Sequence, residues 1–285
     1  MKSLAATLMA GLALAASTGA ASAQISDDVV KIGVLTDMSS LYADATGKGS
    51  LAAVQMAVDD YGRKVKGKPV EVVSADHQNK PDIGVSIARN WYDNEKVDAI
   101  FDVPTSSVAL PISALTREKN KININSGGGS SDITGVACSP NTVHWTYDTY
   151  SLANVAGKAM VKRGEDTWFF VTADYAFGQA LERDTANVVK ENGGKVLGDV
   201  RHPLNSSDFS SFLLQAQASK AKVIGLANAG GDTQNALKQA AEIRHHPGGP
   251  ECRCAARGNH RRAFARHQGD PGPDRDRRLL LGHQR

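Results

Sequence analysis

Cysteine is scarce. The 285 residues hold three, and Cys252 and Cys254 sit near the end, so Cys138 is the single thiol between Gln24 and Ile243. In an oxidising compartment a lone thiol is either free and buried or has lost its partner. Familiar catalytic signatures are missing too. There is no G-x-S-x-G elbow, no H-E-x-x-H and no G-x-G-x-x-G, so the usual hydrolase, zinc-protease and dinucleotide patterns are excluded. TGKGS (Thr46–Ser50) lacks the leading glycine of a phosphate loop, and Lys48 is followed by Gly49 instead of a hydroxyl residue. His77, His144 and His202 are scattered without metal-ligand spacing. No carboxylate pair stands out as an acid–base couple. Nothing here points to an enzyme, a metal or a cofactor.

Lysine is absent from residue 244 onward, whereas ten of the sixteen arginines lie there. The body from Gln24 to Ile243 carries 22 basic against 26 acidic residues, a formal charge of about −4 within a chain of +3. The body therefore offers no electrostatic case for nucleic acid. With 41% hydrophobic and 22% charged residues, the whole chain has the composition of a soluble globular protein.

The beginning, MKSLAATLMAGLALAASTGAASAQ, sets Lys2 before an apolar run from Leu4 to Leu14 and closes on Ala21-Ser22-Ala23. This pattern predicts a secretory signal peptide over residues 1–23, cleaved before Gln24. The run is too short for a membrane anchor. Export to the periplasm is expected.

After it, short β-branched runs alternate with helical patterns. VVKIGVL, PVEVVSAD, VDAIFDV and KININ read as strands, separated by helices over Gly49–Tyr61, Asp82–Glu95 and Ser106–Lys119. In the first helix Leu51, Ala52, Val54, Ala57 and Val58 are expected on the inner face. Ser106 or Ser107 is expected to cap the third. A loop, SGGGSSDITG, comes next, and the alternation restarts with helices over Leu152–Val161, Gln179–Asn192, Phe209–Ser219 and Thr233–Ile243 around strands DTWFFVTAD, Lys195–Arg201 and AKVIGLANAGG. Such alternation predicts parallel sheets covered on both faces. Two lobes are expected, residues 24–140 and 141–243. Ligands of parallel sheets bind beyond the carboxyl ends of strands, which directs attention to the loops after Leu35, Asp102, Asn125, Thr172 and Leu226. The glycine loop is expected to turn free backbone N–H groups toward a carboxylate.

VVKIGVLTDMSSLYADATGKGSLAAVQMAVDDYG resembles the opening of the branched-chain amino-acid (Leu/Ile/Val) type of periplasmic solute-binding protein, the capture subunit of an ABC importer. DVPTSSVALP, SGGGSSDITG, TADYAFGQALERD and ANAGGDTQNALKQAAE follow in that family's order. The resemblance implies a type I periplasmic-binding-protein-like α/β fold, two Rossmann-like lobes with parallel sheets closing about a hinge cleft, the second lobe incomplete here. It implies a small-molecule ligand, an inner-membrane ABC permease as partner, a monomer, and no nucleic acid. A periplasmic sensor that hands its bound state to a receptor is the alternative. The positions implied to touch ligand are Tyr42, Ser106, Ser107, Gly127, Gly128, Gly129, Tyr147, Asp148 and Asn228. Amino-acid binders of the family commonly have an alanine and a hydroxyl residue where this chain has Gly127–Gly129, and an aromatic where it has Ala229. Tyr42, Trp145 and Tyr147 would suit a flat aromatic acid as well as leucine.

Past Ile243 the chain departs from the family. RHHPGGPECRC invites a zinc site from His245, His246, Cys252 and Cys254, but its C-x-C spacing is unsuited. An arginine-rich arm for nucleic acid contradicts export. The tail makes sense as bases read one step out of frame. TTC TAC TGG GAC ACC AAC encodes FYWDTN, a family pattern, and out of step yields Leu280-Leu281-Gly282-His283-Gln284. GAG TTC GGC ATC with one extra A yields Glu242-Ile243-Arg244-His245. Residues 244–285 are thus expected to be out of frame and disordered, with no role for their histidines, cysteines or arginines.

Overall fold

Val30–Thr36 (β1) is β-branched and glycine-containing, and the glycine explains how it packs. A Cβ on Gly33 would collide with the Trp91 ring, so the indole lies flat on the strand. The computed structural model describes residues 25, 27–244 and 253–256; the expected signal peptide lies outside them. β1 is flanked in parallel by β3 (Lys68–Asp76) and β4 (Ala99–Asp102), and β5 (Ile122–Asn125) and β6 (Thr142–His144) continue the sheet. A short antiparallel strand, β2 (Lys64–Val65), borders β3. The connections are α1 (Gly47–Asp60), α2 (Pro81–Asp93) and α3 (Ser106–Glu118). Ala88, Trp91 and Tyr92 of α2 join Leu35, Ile100, Val108 and Ile112 in the first core.

The second sheet is entirely parallel, with Arg253–Ala256 (β10), Val223–Ala227 (β9), Thr167–Ala173 (β7) and Lys195–His202 (β8) side by side in that order. β7 and β9 are buried nearly throughout, as strands covered on both faces must be. β8 alternates instead, as an edge strand does. Helices α4 (Thr149–Val161), α5 (Ala176–Glu191), α6 (Ser210–Ala218) and α7 (Gly231–Arg244) surround it. Phe169, Val171, Phe209, Leu213, Ile224, Leu226 and Ala236 form a core on one face, and Met160, Trp168, Phe170, Val189 and Val223 another.

Four expectations are corrected. β6 pairs with β5, so Thr142–His144, expected in the second lobe, belong to the first sheet. The residue preceding α3 is Thr105, with no side-chain cap; the hydroxyls of Ser106 and Ser107 are engaged elsewhere. The inner face of α1 is only partly covered: Leu51, Val54 and Val58 are half-buried, and Ala52 and Ala57 are exposed. Within the tail expected to be disordered, Arg253–Ala256 forms β10, in register with Val223–Leu226. The remaining tail residues lie outside the described ones.

Candidate site at the junction of the two lobes

The site is built on a bend. Asp102 and Val103, at the carboxyl end of β4, have φ of 81° and 51°, the left-handed region that β-branched residues avoid. Hydrogen bonds hold them there: Val103 N–H donates to the Leu35 carbonyl at 3.0 Å, and the Asp102 carbonyl accepts from Ser126 and Gly127, each at 3.2 Å. The bend carries the start of α3 onto the glycine loop. The Ser106 hydroxyl oxygen accepts N–H groups from Gly129 (3.1 Å) and Ser130 (3.0 Å). Gly128 N–H donates to Asn125 Oδ1 at 2.8 Å.

Every N–H from Ser126 to Ser130 is thus engaged inside the protein. The expectation of free N–H groups facing a carboxylate is overturned, because strand ends and the Ser106 hydroxyl use them first. The carbonyls are engaged as well. Gly127 accepts from the Tyr147 hydroxyl at 3.3 Å, Gly128 from His144 Nε2 at 2.6 Å and Gly129 from Thr149 N–H at 2.8 Å. The glycines serve close approach. A Cβ on Gly127 would stand 2.5 Å from Pro104 Cα, and one on Gly129 would stand 2.6 Å from the Tyr147 ring and 2.9 Å from Phe177.

Tyr42 enters from the loop after β1. Its N–H donates to Asp37 Oδ2 at 2.8 Å, and that buried carboxylate also accepts from Ser40 and Asn79. Its hydroxyl lies 2.5 Å from that of Tyr175, which precedes α5. The first N–H of α5, on Ala176, donates to the Ser107 hydroxyl at 3.2 Å. From the loop after β9, Gly230 (φ 61°) approaches so closely that a Cβ would lie 3.2 Å from the Leu41 carbonyl and the Tyr42 ring. Tyr42, Tyr175 and Phe177 pack with Leu41, Tyr147 and Ala229 in one cluster. Burial pushes the phenols of Tyr42, Tyr147 and Tyr175 upward, so all three stay neutral at physiological pH.

A second polar contact closes the margin. Asp184 of α5 accepts hydroxyl hydrogens from Ser131 (2.7 Å) and Thr149 (2.6 Å), and Arg183 pairs with both Asp184 and Asp132.

Of the residues expected at the site, Tyr42, Ser106, Ser107, Gly127, Gly128, Gly129 and Tyr147 meet at this junction. Asp148 and Asn228 do not share its surface chemistry. The Asp148 carboxylate caps α4, accepting Ser151 N–H at 2.7 Å in a capping box. Asn228 is fully buried: it accepts from Thr233 at 2.7 Å and donates to His202 Nε2 at 3.2 Å, so His202 Nδ1–H donates to the Pro203 carbonyl. Trp145 is 73% exposed and outside the aromatic cluster. Tyr175 and Phe177 were not anticipated by residue, although the loop after Thr172 was. Among the described residues, no group of three or more His, Cys, Asp or Glu could hold a metal ion.

Two parallel sheets whose carboxyl-end loops meet face to face suit a ligand captured between lobes. Residues 29–249 match the family model described as periplasmic binding protein. The chain belongs to this family. A solved periplasmic binding protein from Burkholderia mallei is 59% identical, with a TM-score of 0.75 over 76% of this chain and 58% of that one. A branched-chain amino-acid ABC transporter periplasmic ligand-binding protein from Burkholderia xenovorans is 40% identical, with a TM-score of 0.65 over 79% of this chain and 60% of that one. A solute-binding protein of an ABC transporter from Rhodopseudomonas palustris, in complex with 3,4-dihydroxybenzoic acid, is 25% identical, with a TM-score of 0.71 over 80% and 61%. The chain spans 55% of the length of the curated relatives it matches, among them the Leu/Ile/Val-binding protein homolog 6 of Brucella abortus, 27% identical over 78% of this chain. Members of the family act outside the cytoplasm, and no helix among the described residues is long and apolar enough to cross a membrane.

Proposed function

We propose that this periplasmic binding protein captures a small organic ligand between its lobes and presents it to an inner-membrane ABC permease. The observation that carries the reading is the Tyr42–Tyr175 contact, which joins the carboxyl-end loops of two parallel sheets within an aromatic cluster. The ligand is a branched-chain amino acid or an aromatic acid. The names of the Burkholderia xenovorans and Rhodopseudomonas palustris relatives support these classes, and three tyrosines with Phe177 supply flat apolar walls for either. Tyr42, Tyr147, Tyr175 and Phe177 would contact the ligand, with Ser106, Ser107 and Gly127–Gly129 shaping the wall. Calorimetry with leucine and with 4-hydroxybenzoate separates the classes. Tight binding of leucine alone would remove the aromatic option, and binding of neither would count against the whole reading.

The mature protein is proposed to begin at Gln24, in the periplasm, as a monomer; N-terminal sequencing of the exported protein and its sedimentation test both points. Residues 244–285 are proposed to be translated one base out of step. DNA sequenced across the Ile243 codon decides that, and a family-like continuation absent from the neighbouring frame would overturn it.

A further inference from the structure

Asp232 lies in the first turn of α7, immediately after the Gly230–Gly231 turn that abuts Leu41 and Tyr42. It is 1% exposed. One carboxylate oxygen, Oδ2, accepts the N–H of Asn205 at 3.1 Å. The other, Oδ1, is buried with no partner in the protein. Buried carboxylate oxygens are ordinarily satisfied, and one left open marks a place where something else binds. The adjoining Gly230 and Gly231 pack on Leu41 and the Tyr42 ring, which sets Asp232 next to the junction of the lobes. Burial pushes its own pKa upward, against the lowering effect of the Asn205 and Ser206 N–H groups and of His202.

Asp102 Oδ2 is also buried and unpaired, but that carboxylate acts on His77, whose Nε2 is itself unpartnered within the first lobe. Around Asp232 the backbone N–H groups of Asn205 and Ser206 face the carboxylate, yet Oδ1 stays unpartnered, and His202 directs Nδ1–H to Pro203 while accepting at Nε2. On the opposite wall, the N–H groups of Ser126–Ser130 are engaged. The junction thus offers a buried acceptor while the glycine loop's donors are already used. Its complement is a hydrogen-bond donor.

We propose that Asp232 is a specificity-determining residue, its open Oδ1 accepting a hydrogen bond from a hydroxyl or ammonium group of the captured ligand. The proposal rests on the reading of the junction as the ligand site. Two matched pairs test it by calorimetry on the chain: 4-hydroxybenzoate against benzoate, and leucine against 4-methylpentanoate, each pair differing by one donor group. The donor-bearing member of one pair is expected to bind at least ~10-fold more tightly, the usual reach of a hydrogen bond to a charged group. Which pair discriminates tells hydroxyl from ammonium. Asp232→Asn keeps an acceptor for Asn205 and removes the open one, and should bring the two members within about threefold, the residue of context effects. Equal affinity within both pairs, or an Asp232→Asn variant that weakens both members alike, overturns the role of Asp232 and leaves the site standing. Binding of none of the four overturns the site and the role together. Should Asp232→Asn fail to fold, the wild-type ratios alone still decide.

Discussion

The phenol oxygens of Tyr42 and Tyr175 lie 2.5 Å apart, although the residues are separated by 133 positions and belong to different lobes. One hydroxyl must donate and the other accept, and burial gives neither access to bulk water. Tyr175→Phe keeps the ring and strands the Tyr42 hydroxyl, at a cost of about 1–3 kcal/mol. Thermal denaturation followed by tryptophan fluorescence measures it, since Trp91 and Trp168 are buried in opposite lobes. An unshifted melt would mean that the contact contributes nothing to holding the lobes together.

Gly127 and Gly129 differ in what an added methyl group meets. At Gly129 it meets the Tyr147 and Phe177 rings, which can turn; at Gly127 it meets the Pro104 backbone, which cannot. Overpacking costs about 1–3 kcal/mol, and Gly127→Ala is expected at the upper end and Gly129→Ala at the lower. Urea denaturation gives the order, and the reverse order would contradict the packing described.

At the margin of the junction, the neutral partners of Asp184 should matter more than its charged one. Thr149 is fully buried and donates to Asp184 while accepting Ser131 N–H at 3.0 Å. Thr149→Val is nearly isosteric and leaves two buried groups short, an expected loss of about 1–3 kcal/mol. Arg183 is 45% exposed at its side chain, so Arg183→Ala should cost no more than ~1 kcal/mol and less as salt rises. Melts at low and high salt distinguish the two.

His77 predicts a pH dependence. It is fully buried, and Nδ1 accepts Asn79 N–H at 3.0 Å, so the ring is neutral with its hydrogen on Nε2. Burial pushes its pKa down, against the opposing carboxylates of Asp37, Asp76 and Asp102. The unfolded chain therefore takes up the proton first. The stability contribution is complete above the unfolded value of about 6.5 and declines as pH falls from there toward the lower folded value. Denaturation midpoints across that window should fall more steeply in the wild type than in His77→Gln. Parallel slopes would show that the ring does not titrate with folding.

The strands and helices were legible because their signals are local: the β-branched run in VVKIGVL, the helical spacing of Ile83, Ile87, Ala88 and Trp91 in α2, the apolar run of β7. β2 and β6 were not, since two or three residues carry no period and pair only because a neighbour's edge is open. At the candidate site, the meeting of Tyr42, Ser106 and Tyr147 was legible through family order. What they bond to was not. Ser106 reads as a cap, yet its oxygen is claimed by N–H groups 23 and 24 residues away. Asp148 reads as a cleft residue, yet a serine three positions on makes it a cap. Tyr175 gains its meaning from Tyr42, which no window of sequence contains together with it.

β9 is buried at all five of its residues and is paired on both sides, by β7 and by Arg253–Ala256. The ladder between β9 and Arg253–Ala256 runs through amides and carbonyls, which nearly every residue carries alike. The outer row of β9 therefore selects for an extended backbone and is blind to spelling. Arg253–Ala256 covers that row, and so keeps the N–H and C=O groups of β9 from standing as an open sheet edge.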